Sequence, residues 1–282
     1  MSGVSMRAQP FRFFENVPVL RTQPLSHSQL RVVFGGPALA GFASGGRDQS
    51  LSLFLPHPGQ SRPVVPVDAG ADWFAEWRAV DPAVRAVMRA YTAREHRPET
   101  HELDIDFVSH ADGGPAARWA ARARPGDRVT ILGPSDGDNR SVSFRPPDDA
   151  GCVLIAADET ALPAAESILE SLPAGTVAKV WIEVPHKADR RELNTMADAE
   201  ITWLVHGDRE RGRILAAIED AALPHGRPYA WIAGESGVVR ALRRHLVNER
   251  RIPKGDVTFR GYWRLGASED EFRDELNRAA GK

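Results

Sequence analysis

Arg145-Pro146-Pro147-Asp148-Asp149-Ala150-Gly151 is polar and proline-stiffened, and the run that follows it directly, Cys152-Val153-Leu154-Ile155-Ala156-Ala157, is continuously apolar. The first reads as a linker, the second as a strand buried on both faces. The chain changes rhythm here. Strands over 152–157, 177–184, 201–205, 229–233 and 256–262 alternate with helices near 160–171, 190–197, 209–222, 236–249 and 268–280. That alternation predicts a parallel α/β sheet with helices on both faces.

Upstream the pattern is shorter. Candidate strands at 30–34, 51–55, 88–93, 103–109, 128–132 and 141–144 are separated by Gly, Pro and Asp clusters. In Leu103-Asp104-Ile105-Asp106-Phe107 apolar and acidic residues alternate with period two, so one face is buried and the other wet. Such runs suggest an antiparallel barrel, interrupted by a helix from Pro115 to about Arg124 before the Pro125-Gly126-Asp127 stop. Two domains are expected, residues 1–146 and 151–282.

Composition narrows the function. Among 282 residues, 42% are apolar, enough for a buried core, and 36 Lys plus Arg against 38 Asp plus Glu leave a formal charge of −2. No net positive field exists to hold nucleic acid. No run approaches the roughly 18 apolar residues of a membrane span, the first eleven residues have no signal-peptide core, and the lone Cys152 fits a reducing cytoplasm. Spacings such as H-E-x-x-H or C-x-x-C, which would hold a metal, are absent, as is a serine nucleophile elbow. The α/β half also lacks G-x-G-x-x-G, which argues against an ordinary dinucleotide-fold dehydrogenase. Ligands of open parallel sheets bind beyond the strand carboxyl ends, so the loops after Ala157 and Ala233 come first.

Arg89-Ala90-Tyr91-Thr92-Ala93-Arg94 lies on a strand. Arg offers a fork for pyrophosphate, Tyr a flat face for a ring, Thr a hydroxyl. Read alone, these residues also fit a solvated barrel rim. In His110-Ala111-Asp112-Gly113-Gly114-Pro115-Ala116-Ala117-Arg118-Trp119 a glycine pair precedes a helix start, an arrangement that suits an anion or a plain hairpin loop.

The order of these motifs carries more than each alone. With Asp106-Phe107-Val108, Gly133-Pro134, Gly35-Gly36-Pro37, Asp48-Gln49, Asp158-Glu159-Thr160-Ala161-Leu162-Pro163, Ala233-Gly234-Glu235 and Tyr262-Trp263-Arg264, the chain resembles the siderophore-interacting proteins, FAD-dependent ferric-siderophore reductases related to ferredoxin–NADP reductases. The resemblance spans about Val17 to Gly266. It implies an N-terminal antiparallel β-barrel holding FAD and a C-terminal parallel α/β domain receiving NADH or NADPH. It further implies that Arg89, Tyr91, Thr92 and Arg94 meet the isoalloxazine and pyrophosphate. Val108, His110, Gly114, Pro115, Ala116, Ala117 and Trp119 would line the rest of the FAD site, and Asp158, Glu159, Thr160, Ala161, Gly234 and Glu235 the nicotinamide side. Thr92, Tyr262 and Trp263 would stand at the reacting ring, with Thr160 also capping the helix after it. A C-terminal helix over Glu269 to Arg278 would favour NADH, whereas Lys187, Arg190 and Arg191 suit the 2′-phosphate of NADPH.

Several positions depart from the family pattern. Ala117 stands where Ser is usual, Ala157 where Gly is usual, and Ser50 and Ser52 where His and Lys are common. The ferric siderophore, an anionic substrate in many cases, would then meet Arg47, Arg264 and Arg260. Another acceptor, such as a quinone or electron-carrier protein, or a flavin- or siderophore-binding role with little turnover, stays open. A monomer or weak dimer is expected.

Overall fold

The longest strand, β1 (Phe11–Pro24), lies ahead of the first expected one. Its apolar alternation is broken: Phe14, Val17 and Val19 are the buried residues, and the register with β7 shifts between Phe14 and Val17, where Asn16 has φ 54°. A bulge adds one residue and moves the inward positions out of step. The computed structural model describes residues 10–109, 113–207, 212–268 and 270–272.

With β2 (Gln29–Gly35), β3 (Ser50–Leu55), β4 (Val87–Thr92), β5 (Glu95–Arg97), β6 (Glu102–Val108) and β7 (Arg128–Pro134), β1 forms a seven-stranded sheet ordered β4-β3-β7-β1-β2-β6-β5. Every pairing in it is antiparallel. Beyond β4, the Arg94 amide donates to Asp104 O at 3.0 Å, which returns that edge to β6 and curls the sheet around Phe34, Leu53, Ile105 and Ile131. This is the expected barrel. A helix absent from the expectations, α1 (Trp73–Ala79), covers the outside of β3 and β4, with Trp77 packed among Phe54 and Met88. The helix α2 (Pro115–Ala120) is shorter than expected.

Residues 141–144, expected as a strand, cross between the domains instead. The Asp48 carboxylate accepts from the Ser143 and Phe144 amides, each at 2.9 Å, and the Phe144 ring enters the α/β core. A segment whose N–H groups are taken by a side chain has none left for a ladder.

The second half is β8 (Cys152–Asp158), α3 (Leu162–Ser171), β9 (Val177–Val184), β10 (Asp198–Val205), α4 (Arg213–Glu219), β11 (Pro228–Glu235), α5 (Ser236–Arg244) and β12 (Val257–Trp263). The sheet, ordered β10-β9-β8-β11-β12, is parallel throughout. Residues 190–197 are not the expected helix. Leu193 is buried, Arg191 turns inward to Glu166, and Thr195 Oγ1 donates to Leu169 O at 2.8 Å, so side chains pin this stretch along α3. Ser268 and Glu271 form a capping box, each taking the other's amide at 3.3 and 2.8 Å. Most of the expected C-terminal helix lies outside the described residues. No helix among the described residues is long and apolar enough to cross a membrane.

The domains meet through directed polar contacts. Asp189, 1% exposed, accepts from Ser26 Oγ at 2.7 Å and the Ser28 amide at 2.9 Å on the β1–β2 turn, and from the His186 amide at 3.0 Å. Burial works to raise this carboxyl; the bonds overcome it and hold the group below its ordinary range. A carboxyl depressed in the folded state contributes stability that is complete above the unfolded value, near pH 4, and lost as pH falls through the folded value. Asp189→Asn is therefore expected to lower unfolding free energy by about 2 kcal/mol at neutral pH. In denaturant titrations the gap from the parent should narrow below about pH 4; a pH-independent gap would mean that the charge is not what bonds.

Candidate functional site

Strand alternation sorts the motif on β4. Thr92 is opposite Ser50 and Ala90 opposite Ser52, whereas Arg89 and Tyr91 side with Leu53 and Leu51. The Tyr91 ring lies 4.4 Å from that of Phe107; Phe107 lies 6.1 Å from Trp119, which stacks over Phe34 within 8°. An aromatic wall thus runs from Tyr91 to α2. Val108 ends the strand beside it, and the Gly114-Pro115 entrance to α2 is exposed, with open space where a Cβ at Gly114 would sit. Ala116 is buried under the helix and Ala117 half-buried on it. Arg89, 7% exposed, donates to Met88 O at 2.8 Å and meets Asp270 at 3.3 Å. Flat apolar faces, an arginine at one end and an uncrowded glycine turn fit a flavin dinucleotide. His110 lies outside the described residues.

Arg94 is directed elsewhere. Expected beside a pyrophosphate, it instead reaches across to α3, pairing with Glu166 at 3.1 Å and Glu170 at 2.6 Å. Its partners are acidic and on the other domain, which its position on the motif does not reveal.

Asp158 organises the second half of the site. Its Oδ1 accepts from the Thr160 amide at 2.9 Å and hydroxyl at 2.5 Å; its Oδ2 accepts from the Glu235 amide and from Trp263 Nε1, each at 2.8 Å. It also lies 3.3 Å from the Ala161 amide. The expected Thr160 cap is thus replaced: Asp158 holds the turn into α3, and Thr160 is one of its donors. Gly234 has φ 139°, and a Cβ there would overlap the Asp158 carboxylate. Glu235 caps α5 through the Val238 amide at 2.8 Å. A cleft at the carboxyl ends of β8, β9 and β11 is lined by Asp158, Glu183, Glu235, Val238 and Trp263, the place where open α/β sheets bind ligands. Glu159 backs it, buried, its carbonyl accepting from Gln29 Nε2 at 2.8 Å. Glu183 was not anticipated. Its carboxylate accepts from the Gly212 and Arg213 amides at 3.0 Å, and an acidic residue ending the apolar run Val180-Trp181-Ile182 was the signal for it.

The last strand closes the site. The Tyr262 phenol and the Thr92 hydroxyl lie beside one another, which brings the end of β4 to β12. Burial pushes the phenol above its ordinary range, and the Asp48 carboxylate adds to the shift. Arg260, exposed, donates to Ser143 Oγ at 2.8 Å, and Arg47 approaches Phe144 O at 3.5 Å, so two of the three expected substrate arginines meet the same crossing segment. Arg264 follows Trp263, half-buried.

Comparison with known proteins agrees with this geometry. The siderophore-interacting FAD-binding domain family matches residues 18–138, and the siderophore-interacting protein family matches 150–266. Ferric vibriobactin reductase ViuB of Vibrio cholerae is 31% identical over 259 residues, 91% of each chain. The NADPH-dependent ferric-chelate reductase of Escherichia coli is 32% identical over 254 residues, 89% of this chain and 92% of that one. A siderophore utilization protein from T. fusca superimposes with TM-score 0.78 at 32% identity, covering 92% and 95% of the two chains. A ferredoxin reductase of carbazole 1,9a-dioxygenase, at 15% identity, TM-score 0.64 and 91% and 71% coverage, shares the fold.

Two substitutions separate the halves of the site. Arg89→Ala should weaken FAD by about tenfold to a hundredfold, the loss of one charged contact, read by fluorescence titration of the FAD-stripped protein. Gly234→Ala should leave FAD content unchanged but slow flavin reduction by NAD(P)H about tenfold or more, since a displaced Asp158 loop misplaces the donor. Retention of FAD in the first variant, or normal reduction in the second, would remove that residue from the site.

Proposed function

The chain belongs to the siderophore-interacting protein family, and from that premise we propose that it is an FAD-dependent ferric-siderophore reductase. It takes electrons from NADH or NADPH and delivers them to siderophore-bound Fe(III), which leaves as Fe(II). The observation that carries this reading is the Thr92–Tyr262 contact, because it sets the motif strand of the barrel against the last strand of the α/β domain, next to the Asp158–Trp263 bond.

Bound flavin supplies the chemistry that side chains lack: it accepts two electrons together and releases them one at a time. The chain's own residues bind and orient. Arg89, Tyr91 and Trp119 hold the cofactor, the two rings backed by the buried Phe107, Thr92 offers a hydroxyl at the ring, and Asp158 fixes the loop and the indole that receive the nicotinamide. Tyr262, a neutral phenol whose ionisation burial pushes still higher, covers this junction without adding charge. For the donor, Lys187 and Arg190 remain exposed after β9, while Arg191 is taken by Glu166 and Gln29. Two exposed cations at that point, Arg190 with one terminal nitrogen donating to Trp203 O at 3.4 Å, favour NADPH. A monomer working in the cytoplasm, where the buried Cys152 thiol meets no oxidant, suits this role.

The acceptor side is less basic than the family pattern. Ser50 is exposed and Ser52 half-buried, opposite Thr92 and Ala90, and Arg47, Arg260 and Arg264 are the nearby cations we assign to substrate. Reduction of strongly anionic ferric triscatecholates is therefore expected to be slower than that of neutral ferric hydroxamates. Ser52→Lys should raise the rate for the anionic complexes preferentially, with a gain that shrinks as salt screens an exposed charge over about 10 Å at 0.1 M. An Fe(II)-chelator assay with both complexes decides. Equal gains on both would end the electrostatic account, and no iron reduction from any complex would move the assignment to another acceptor, such as a quinone or electron-carrier protein.

A further inference from the structure

Between the barrel and the α/β domain runs a charged seam that the site described above does not use. Glu166, on α3, has a side chain 7% exposed. One of its carboxylate oxygens takes Arg94 Nε at 3.1 Å and the other takes Arg191 Nε. One turn further along, Glu170 takes both terminal nitrogens of Arg94 at 2.9 and 2.6 Å. Ser167 Oγ donates to Arg94 O at 2.9 Å, so α3 grips the backbone as well as the guanidinium. Arg191 continues the chain to Gln29, whose amide donates to Glu159 O at 2.8 Å.

A buried arginine–glutamate–arginine arrangement is a poor device for stability alone. Desolvating three charges costs about as much as their attraction returns, and well-packed apolar residues often serve the fold better. What the geometry does supply is direction. Charge-assisted, forked hydrogen bonds fix angle as well as distance. The ends of the seam are also placed tellingly: Arg94 is two residues after Thr92, and Glu166 is on the first turns of the helix that begins after Asp158-Glu159-Thr160. Whatever sets α3 against Arg94 sets the dinucleotide loop against the flavin strand end.

We propose that the Arg94–Glu166–Arg191 seam is a positioning device for hydride transfer, with Glu166 as its central positioning residue. The inference rests on the reading of the protein as a flavin reductase fed by NAD(P)H. The step it governs moves one hydride, a proton with two electrons, from the dihydronicotinamide, which is oxidised, to the flavin, which is reduced. Glu166 touches neither ring; it holds the two domains at the separation the transfer needs.

The test uses Glu166→Gln, which keeps the shape of the side chain and removes its charge, and Glu170→Gln at the exposed end as a milder variant. Anaerobic stopped-flow on the FAD-loaded proteins separates the limiting rate of flavin reduction from donor affinity, and the long-wavelength flavin–nicotinamide charge-transfer absorbance reports ring placement. The limiting rate of Glu166→Gln should fall about tenfold to a hundredfold, the scale of a misplacement near 1 Å, with donor affinity and FAD content little changed and the charge-transfer absorbance diminished. In FAD-stripped protein, amide exchange should quicken at residues 89–94 and 158–171. Glu170→Gln should show the same pattern more weakly. Unchanged limiting rates in both variants, with a parent that is reduced normally, would overturn the seam as a positioning device, as would a rate loss explained by FAD release. A parent flavin reduced by neither NADH nor NADPH would overturn the reductase reading itself, and this inference with it.

Discussion

The carboxylate of Asp158 is the point on which the α/β half of the site depends. It ends β8, and its two oxygens gather the turn into α3, the Gly234-Glu235 corner after β11 and the indole of Trp263 on β12. A buried carboxylate is tolerable only when donors replace the water it has lost, and four groups do so here within 3.0 Å. The consequence is geometric. Three strand ends that the parallel sheet delivers to one side are fixed relative to a single group, so the floor of the cleft is preformed. Gly234 follows from the same constraint, because its φ of 139° and the nearness of the carboxylate leave no room for a side chain.

The two domains are joined in the same style. Asp48 accepts from the crossing segment and from Trp231 Nε1 at 3.0 Å, which anchors the start of β3 to the centre of the second sheet. Asp189 ties the β1–β2 turn to the loop after β9, and the Glu166 seam ties the end of β4 to α3. These contacts are directional, unlike an apolar interface on which surfaces slide. An electron-transfer protein with its cofactor in one domain and its donor in the other gains from such contacts, since orientation matters at the reacting rings and a loosely hinged pair would dilute it.

How much of this was legible depends on whether a residue's role is local. Strands β8 and β11 were readable because a parallel strand covered on both faces is a nearly continuous apolar run, and β9 because Val180-Trp181-Ile182 keeps that character between Lys179 and Glu183. β1 was hidden by its own bulge, and 141–144 had strand composition but gave its amides to Asp48. At the site, Tyr91, Thr92, Tyr262 and Trp263 were named from motif order, and the fold brings Thr92 and Tyr262 into contact. Arg94 could not be placed in this way. Its acidic partners lie 72 and 76 residues away, and nothing in Tyr91-Thr92-Ala93-Arg94 distinguishes a guanidinium aimed at phosphate from one aimed at a helix of the other domain. Asp189 escaped notice for the same reason, its donors Ser26 and Ser28 lying more than 160 residues away, and Glu183, though marked by its place at the end of an apolar run, accepts only backbone N–H, which every sequence contains.

The titration of Tyr262 bears on where pH dependence can enter the reaction. An ordinary phenol ionises near pH 10, and burial with a nearby carboxylate moves this one higher still. A group whose charged form is disfavoured by the fold is neutral at all lower pH, so Tyr262 carries no charge change through the physiological range. Ionising it would instead oppose the folded state as pH rises beyond the ordinary value. The Thr92–Tyr262 contact is thus a neutral one set among charged ones. Neutrality is the property wanted at a junction that must accept a dinucleotide on one side and ferric complexes of differing charge on the other. Any pH dependence of turnover in the physiological range then has to come from the substrate's own ionisation or from groups outside this contact.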